Sequence, residues 1–171
     1  MTKPVCIVMV GLPACGKSTR VRELTTMNPD VFVYSTDNLL EAWAADDGKT
    51  YNEVFNDLID KATSEMNRLL DTAIREGMDI VWDQTNLSAK KRAKIIRRMK
   101  NAGYKVECEC IVFPQGDSQW EDWRHRVTNR PGKTIPAHIV ESMMDSFVMP
   151  TEDEGFDAVY CFDMYGNSIS G

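Results

Sequence analysis

The chain reads as an α/β protein built on a five-stranded parallel sheet with helices on both faces. Three observations predict this: apolar runs alternate with longer segments of helical period, most of those runs are apolar throughout, and the first ends in a sharp glycine-bearing corner. Strands separated by helices cross over and run parallel. A strand covered on both faces has no polar side to show, so continuity rather than alternation marks it.

The strands are CIVMV at 6–10, VFVYS at 31–35, DIVWD at 79–83, VECECIVF at 106–113 and AVYCF at 158–162. Helical period fills 17–26, 38–46, 52–76, 88–102, 117–129 and 136–147. VECEC alternates, so the start of that strand is expected to be half exposed. The breaks at 46–50, 130–136 and 149–155 read as loops inside a single domain covering 1–171.

Composition bounds the function. A chain of 171 residues with 43% hydrophobic content has material for one good-sized core. Its five cysteines, Cys6, Cys15, Cys108, Cys110 and Cys161, are odd in number and mostly lie in apolar runs, which argues against a disulfide framework and for a reducing cytoplasm. Residues 1–10 lack the basic start and cleavage site of a secretory signal. No apolar stretch approaches the roughly 20 residues that span a membrane, so a soluble protein is expected. A net charge of -6 argues against a broad non-specific nucleic-acid binder while leaving room for a local basic patch.

The corner after the first strand carries chemistry. GLPACGKST, Gly11 to Thr19, fits the phosphate-binding pattern G-x-x-x-x-G-K-[ST] between a strand and a helix, and it makes this a P-loop NTPase fold. Gly11 and Gly16 allow a backbone path along which the N–H groups of Pro13–Thr19, proline excepted, can turn toward phosphate oxygens. The helix opening near Lys17 adds its positive end. Lys17 is expected to reach the β- and γ-phosphates of ATP, and the Ser18 hydroxyl to ligate Mg²⁺. Ala14 and Cys15 occupy variable positions of the pattern, and Cys15 reads as a small filler rather than a redox sensor.

A phosphate cradle alone does not separate a kinase from a switch or a motor. No N-K-x-D segment for reading guanine is present, and a mechanical ATPase needs more chain for coupling. A small kinase needs a base, a second acid near the metal and arginines over the transferring group. Asp37, where YSTDNLL passes from strand to helix, is the candidate base, with a helix cap as its plainer alternative. Asp83 closes DIVWD as a Walker B acid in the metal shell, and Thr85 and Asn86 follow on the next turn, able to shape the crevice or touch substrate. Arg126 and Arg130 lie four apart on one helical face, before the helix-breaking Pro131 and Gly132 and a loop lysine, Lys133. This region, about 117–136, reads as a lid whose arginines swing in over the nucleotide. His125 and His138 have no partners at metal spacing.

The acceptor is signalled less directly. KKRAKIIRRMK, 90–100, holds seven basic residues and no acid, and Lys90, Lys94, Arg97 and Arg98 share one helical face. That face can follow a nucleic-acid backbone or simply be solvated. Trp43, Tyr51 and Phe55 offer stacking surface for a terminal base, and packing of a helical hairpin explains Tyr51 and Phe55 equally well.

Taken together, GLPACGKST, STDNLL, GKTYNEVF, WDQTNL, RVTNRPGKTIP and PTEDEGFD resemble the kinase module of bacteriophage and bacterial polynucleotide kinases, within the P-loop kinase group related to zeta toxins. The resemblance covers most of the chain, and its D-x-T-N and R-x-x-x-R-x-x-K-x-x-P elements are more specific than the phosphate loop. It implies transfer of the ATP γ-phosphate to a 5′-hydroxyl end of DNA or RNA, with Lys17 and Ser18 in the cradle, Asp37 as base, and Arg126 and Arg130 in the lid. Two departures stand out. Bifunctional members carry an arginine three residues after the base, where this chain has Leu40, and they carry a D-x-D-G-T phosphatase motif that DMYGN at 163–167 does not match. A kinase acting on a nucleoside, sugar or antibiotic hydroxyl, and a non-catalytic ATP-binding module, stay open beside the polynucleotide reading.

Overall fold

The structure is a computed structural model and describes residues 2–169. Strands β1 (Val5–Val10), β2 (Phe32–Tyr34), β3 (Ile80–Trp82), β4 (Lys105–Ile111), β5 (Ala158–Phe162) and β6 (Ser168–Ile169) form one sheet in the order β2-β3-β1-β4-β5-β6. The first five are parallel, as their sequence implies. β6 pairs antiparallel with β5 and has no counterpart in the sequence reading, because two residues carry no periodicity to detect. The stretch DMYGN is the turn into it: Asp163 Oδ1 accepts from the N–H groups of Tyr165 and Asn167, both at 2.9 Å.

Helices α1 (Lys17–Met27), α2 (Thr36–Asp46), α3 (Tyr51–Arg75), α4 (Ala89–Asn101), α5 (Gly116–Thr128) and α6 (Ala137–Ser146) connect and cover the strands. Three of them start on side-chain caps. Ser35 caps α2 by accepting from Asn38 N–H at 3.2 Å, and Ser88 caps α4 through Lys91 N–H at 3.2 Å. Thr50 and Glu53 form a capping box at the head of α3. Because Ser35 is the cap, Asp37 in the first turn is left with its carboxylate to use elsewhere.

Central β1 is fully buried from Val8 to Val10 and packs with β3 and β4 against Met66, Leu70, Ile95, Ile96 and Met99. α3 contributes Val54, Ala62, Met66, Leu70 and Ala73, one side of a long helix, and α2 folds back on it through Leu40 and Ala44. All five cysteines are free thiols, and burial pushes Cys6 up to about 12. No helix among the described residues is long and apolar enough to cross a membrane.

Three charged positions depart from the sequence reading. Arg92 completes the buried stripe of Ile95, Ile96 and Met99 and is 0% exposed. Its guanidinium pairs with Glu154 at 2.8 Å and donates to the carbonyls of Asn86 and Leu87 at 3.0 and 2.9 Å. Arg98 is bound to α3 through Asp71 at 2.6 Å. Glu109 in VECEC is buried rather than exposed, because Arg20 of α1 covers it with two hydrogen bonds. The exposed start of that strand is confined to Lys105, with Glu107 half-buried.

Arg92→Ala should cost about 3–5 kcal/mol in a urea titration, since it strands a partly buried carboxylate and two carbonyls. Exposed Lys94→Ala on the same helix should stay within about 0.5 kcal/mol.

Candidate active site

Strand order reverses about β1, with β3 and β2 on one side and β4 and β5 on the other, so a crevice opens at its carboxyl end. Two backbone bonds draw the strand ends together there. Gly11 N–H donates to Thr85 O at 3.0 Å, and Asp83 N–H donates to Tyr34 O at 2.8 Å.

The phosphate loop is shaped from outside. A Cβ on Gly11 would sit 2.7 Å from Cys15 Sγ, and one on Gly16, at φ 103°, would sit 3.0 Å from Met164 O. Cys15 is buried against Leu12, Leu87 and Trp123, so it fills space and offers a ligand only its backbone. The first bond inside α1 runs from Arg20 N–H to Gly16 O at 3.3 Å, leaving the N–H groups of Lys17, Ser18 and Thr19 without helical partners. No acid sits in that first turn to neutralise it. Lys17 Nζ bends back over the loop to the carbonyls of Gly11 and Leu12 at 3.0 and 3.1 Å.

Two cavities meet beside this loop. The first, about 520 Å³, is lined by Ala14, Gly16, Lys17 and Ser18 from the loop and by His125, Arg126 and Asn129 from α5 and its end. The second, about 680 Å³, lies between α3 and α6, with Tyr51, Phe55, Ile59, Ile139 and Met143 as its apolar walls. Asp37, Asp83, Gln84, Thr85, Arg130 and Lys133 line both. Asp83 is half-buried there. Burial raises its carboxyl above the usual range, and the Lys17 charge opposes that shift.

The helical part of the arginine-bearing segment is anchored to the phosphate loop. The Trp123 indole donates to Pro13 O at 2.9 Å, and Trp123 and Val127 pack with Leu12, Cys15 and Ile111. α5 is therefore bolted to the phosphate loop, and Arg126, paired with Asp122 at 3.6 Å, approaches the first cavity from a fixed helix.

Not every residue singled out in the sequence reaches the crevice. Trp43 packs with Leu40 and Val54 under Lys61, whose Nζ is 5.4 Å from the ring, and it lines neither cavity. Lys90 and Lys94 are exposed on α4 outside both; their neighbour Lys91 is the α4 lysine that lines the second. Thr19 is exposed away from the cavities. Asn86, at φ 48°, spends its amide on Met9 O at 2.8 Å and braces the turn, although it also borders the second cavity. Sequence reasoning missed Gln84, Glu41 and Asn129. Gln84 is the variable position of D-x-T-N; the other two sit one helical turn beyond Asp37 and His125, a spacing that places them on the same face.

Asp83→Asn should raise the thermal midpoint by a few degrees in chelator-containing buffer at neutral pH, since it removes a carboxylate that burial penalises. Because the folded-state value is raised, that advantage should shrink as pH falls through the carboxylate range and vanish below it, which melts across pH 3–7 check at roughly one-unit steps.

Comparison with known proteins gives the same architecture. The chain aligns over 99% of its length with a structure from the PezAT toxin–antitoxin system of Streptococcus pneumoniae, at 15% identity, TM-score 0.70 and 71% of that chain. Chaetomium thermophilum Kti12, solved with ADP-AlF3, matches 92% of this chain and 88% of its own at 16% identity and TM-score 0.63. A fungal RNA kinase matches 96% and 76% at 14% identity and TM-score 0.56. These structures share the fold of this chain. A family profile described as AAA domain matches residues 6–150, and the chain belongs to that family.

Proposed function

We propose that the protein is a kinase that moves the γ-phosphoryl group of ATP to an acceptor hydroxyl, with the 5′-hydroxyl end of DNA or RNA as the acceptor. The observation that carries this reading is the meeting of a phosphate-loop cavity and a second, partly apolar cavity at Asp37, Asp83, Arg130 and Lys133. A hydrolase needs room only for water beside its nucleotide; a second chamber of about 680 Å³ is the size of a small-molecule site.

In this reading the acceptor oxygen attacks the γ-phosphorus, the bond to the bridging oxygen breaks, ADP leaves, and the hydroxyl proton passes to Asp37. Lys17 and the N–H groups of the loop hold the donor phosphates, and Arg126 and Arg130 offset charge on the transferring oxygens. Ser18 and Asp83 supply hard oxygen donors on the donor side and fit Mg²⁺, which would neutralise phosphate charge when bound. The fungal RNA kinase among the structural neighbours supports a nucleic-acid acceptor by analogy of fold.

One observation favours a small acceptor instead: the second cavity is walled by Phe55, Ile59, Ile139 and Met143, and Lys90, Lys94 and Arg97 lie outside it. Buried Leu40 adds no cation there. Labelling by γ-³²P-ATP of 5′-hydroxyl oligonucleotides, run beside nucleosides and sugars, separates the two; no label on any acceptor would leave a non-catalytic module.

Asp37→Asn should cut transfer by roughly 10²-fold or more with ATP affinity nearly unchanged, as befits a base acting on the acceptor. Equal loss of ATP binding would move Asp37 to the metal shell. Lys91→Gln should raise the oligonucleotide KM while sparing ATP, and flatten the plot of log affinity against log salt by about 0.7. A neutral acceptor would show neither effect.

A further inference from the structure

Asp37 is held from two sides. The Tyr51 hydroxyl donates to Asp37 Oδ1 at 2.8 Å, and Lys133 Nζ stands 3.5 Å from Oδ2. Lys133 also donates to Glu41 Oε1 at 2.7 Å and lies 4.7 Å from the centre of the Tyr51 ring. Burial and the neighbouring Asp37 and Glu41 push the Tyr51 phenol upward, so it stays a protonated donor at neutral pH. Three elements contribute: α2 carries Asp37 and Glu41, α3 begins with Tyr51, and Lys133 belongs to the segment after α5.

That segment is seated on the residues flanking Tyr51. Asn52 N–H donates to Gly132 O at 2.9 Å, Asn52 Nδ2 donates to Thr134 O at 2.9 Å, and Thr134 N–H returns a bond to Asn52 Oδ1 at 2.7 Å. Gly132, at φ 66°, presses so closely on Thr50 that an added Cβ would meet the threonine Cβ at 2.8 Å. Thr50 and Asn52 form the seat, and the residue between them grips the carboxylate. Docking residues 129–136 also walls the acceptor cavity, through Arg130, Lys133, Thr134, Ile135 and Pro136.

We propose that Tyr51 and Lys133 are positioning residues for Asp37, set in place by the docking of 129–136 on Thr50–Asn52, so that closing the acceptor cavity and orienting the base are one event. This rests on the kinase reading with Asp37 as base. Tyr51 fixes Oδ1 and with it the rotation of the carboxylate. Oδ2, engaged by Lys133 only at long range, is the oxygen that takes the acceptor's proton as the acceptor oxygen bonds to phosphorus and ADP departs. Lys133 keeps Glu41 as its partner throughout.

The test compares Tyr51→Phe, Lys133→Gln, Lys133→Arg and Asn52→Ala, the last touching the docked segment but not Asp37. Steady-state transfer is measured with ATP and the acceptor varied, and amide exchange is followed over 129–136. Tyr51→Phe and Lys133→Gln should lower kcat about 10-fold at nearly constant KM for ATP, with Lys133→Arg recovering part of the loss. Asn52→Ala should speed exchange in 129–136 and lower kcat in the same direction. The Tyr51→Phe/Asn52→Ala double variant should lose little more than the worse single, since both act through one carboxylate. Full kcat in Tyr51→Phe, or an Asn52→Ala protein whose segment exchanges faster at unchanged kcat, overturns the proposal while leaving the kinase reading intact. A wild-type protein that binds ATP and phosphorylates no acceptor overturns both.

Discussion

The phosphate loop has no room to relax. Thr85 O takes the N–H of Gly11, the Trp123 indole takes the carbonyl of Pro13, and Met164 O stands where Gly16 would carry a side chain. Three separate parts of the chain, the turn after β3, helix α5 and the turn before β6, thus converge on one stretch of backbone. A loop fixed from outside presents its N–H groups without first reorganising, which is the condition under which dipoles act most strongly on developing charge. A side chain at either glycine would collide with one of the groups that fix the loop, Cys15 Sγ or Met164 O.

Charge is sorted within this frame. The protein carries a net -6, yet Lys17, Arg126, Arg130 and Lys133 are gathered around the crevice. Three acids, Asp37, Glu41 and Asp83, stand among them. Such a mixed cluster suits a highly charged nucleotide better than a uniformly basic surface: cations meet phosphate while carboxylates are kept for a metal or a proton. Burial of Asp83 costs stability, a cost expected where a site is built for binding rather than for the fold alone.

The sheet was legible because most of its parallel strands are continuous apolar runs, and the phosphate loop because few backbones other than this one need two glycines and a lysine at such spacing. Asp37 and Asp83 were legible from position, at the ends of strands whose order brings them together. What escaped detection depends on tertiary contact. Arg92 sits in KKRAKIIRRMK among exposed cations, and only the phase of Ile95, Ile96 and Met99 marks it as inward-facing. Trp43 looked available for stacking but faces α3, because a helical hairpin takes its apolar side chains first. The anchoring of α5 includes an indole hydrogen bond to a partner 110 residues away, a pairing that no local pattern encodes.

That anchoring divides the arginine-bearing region in two. Arg126 belongs to a helix packed against the phosphate loop, so in the proposed reaction the donor side is assembled largely by the core and needs no acceptor to complete it. Arg130 and Lys133 belong to the segment seated on α3, held by polar contacts at an exposed seam, the kind of structure that opens at low free-energy cost. In the proposed reaction an acceptor would enter while that segment is lifted and be enclosed when it returns. The two halves therefore differ in what they ask of the chain: the donor half depends on packing, and the acceptor half on a few hydrogen bonds. Changes at the seam are then expected to alter which acceptors are used well before they alter how the nucleotide is held.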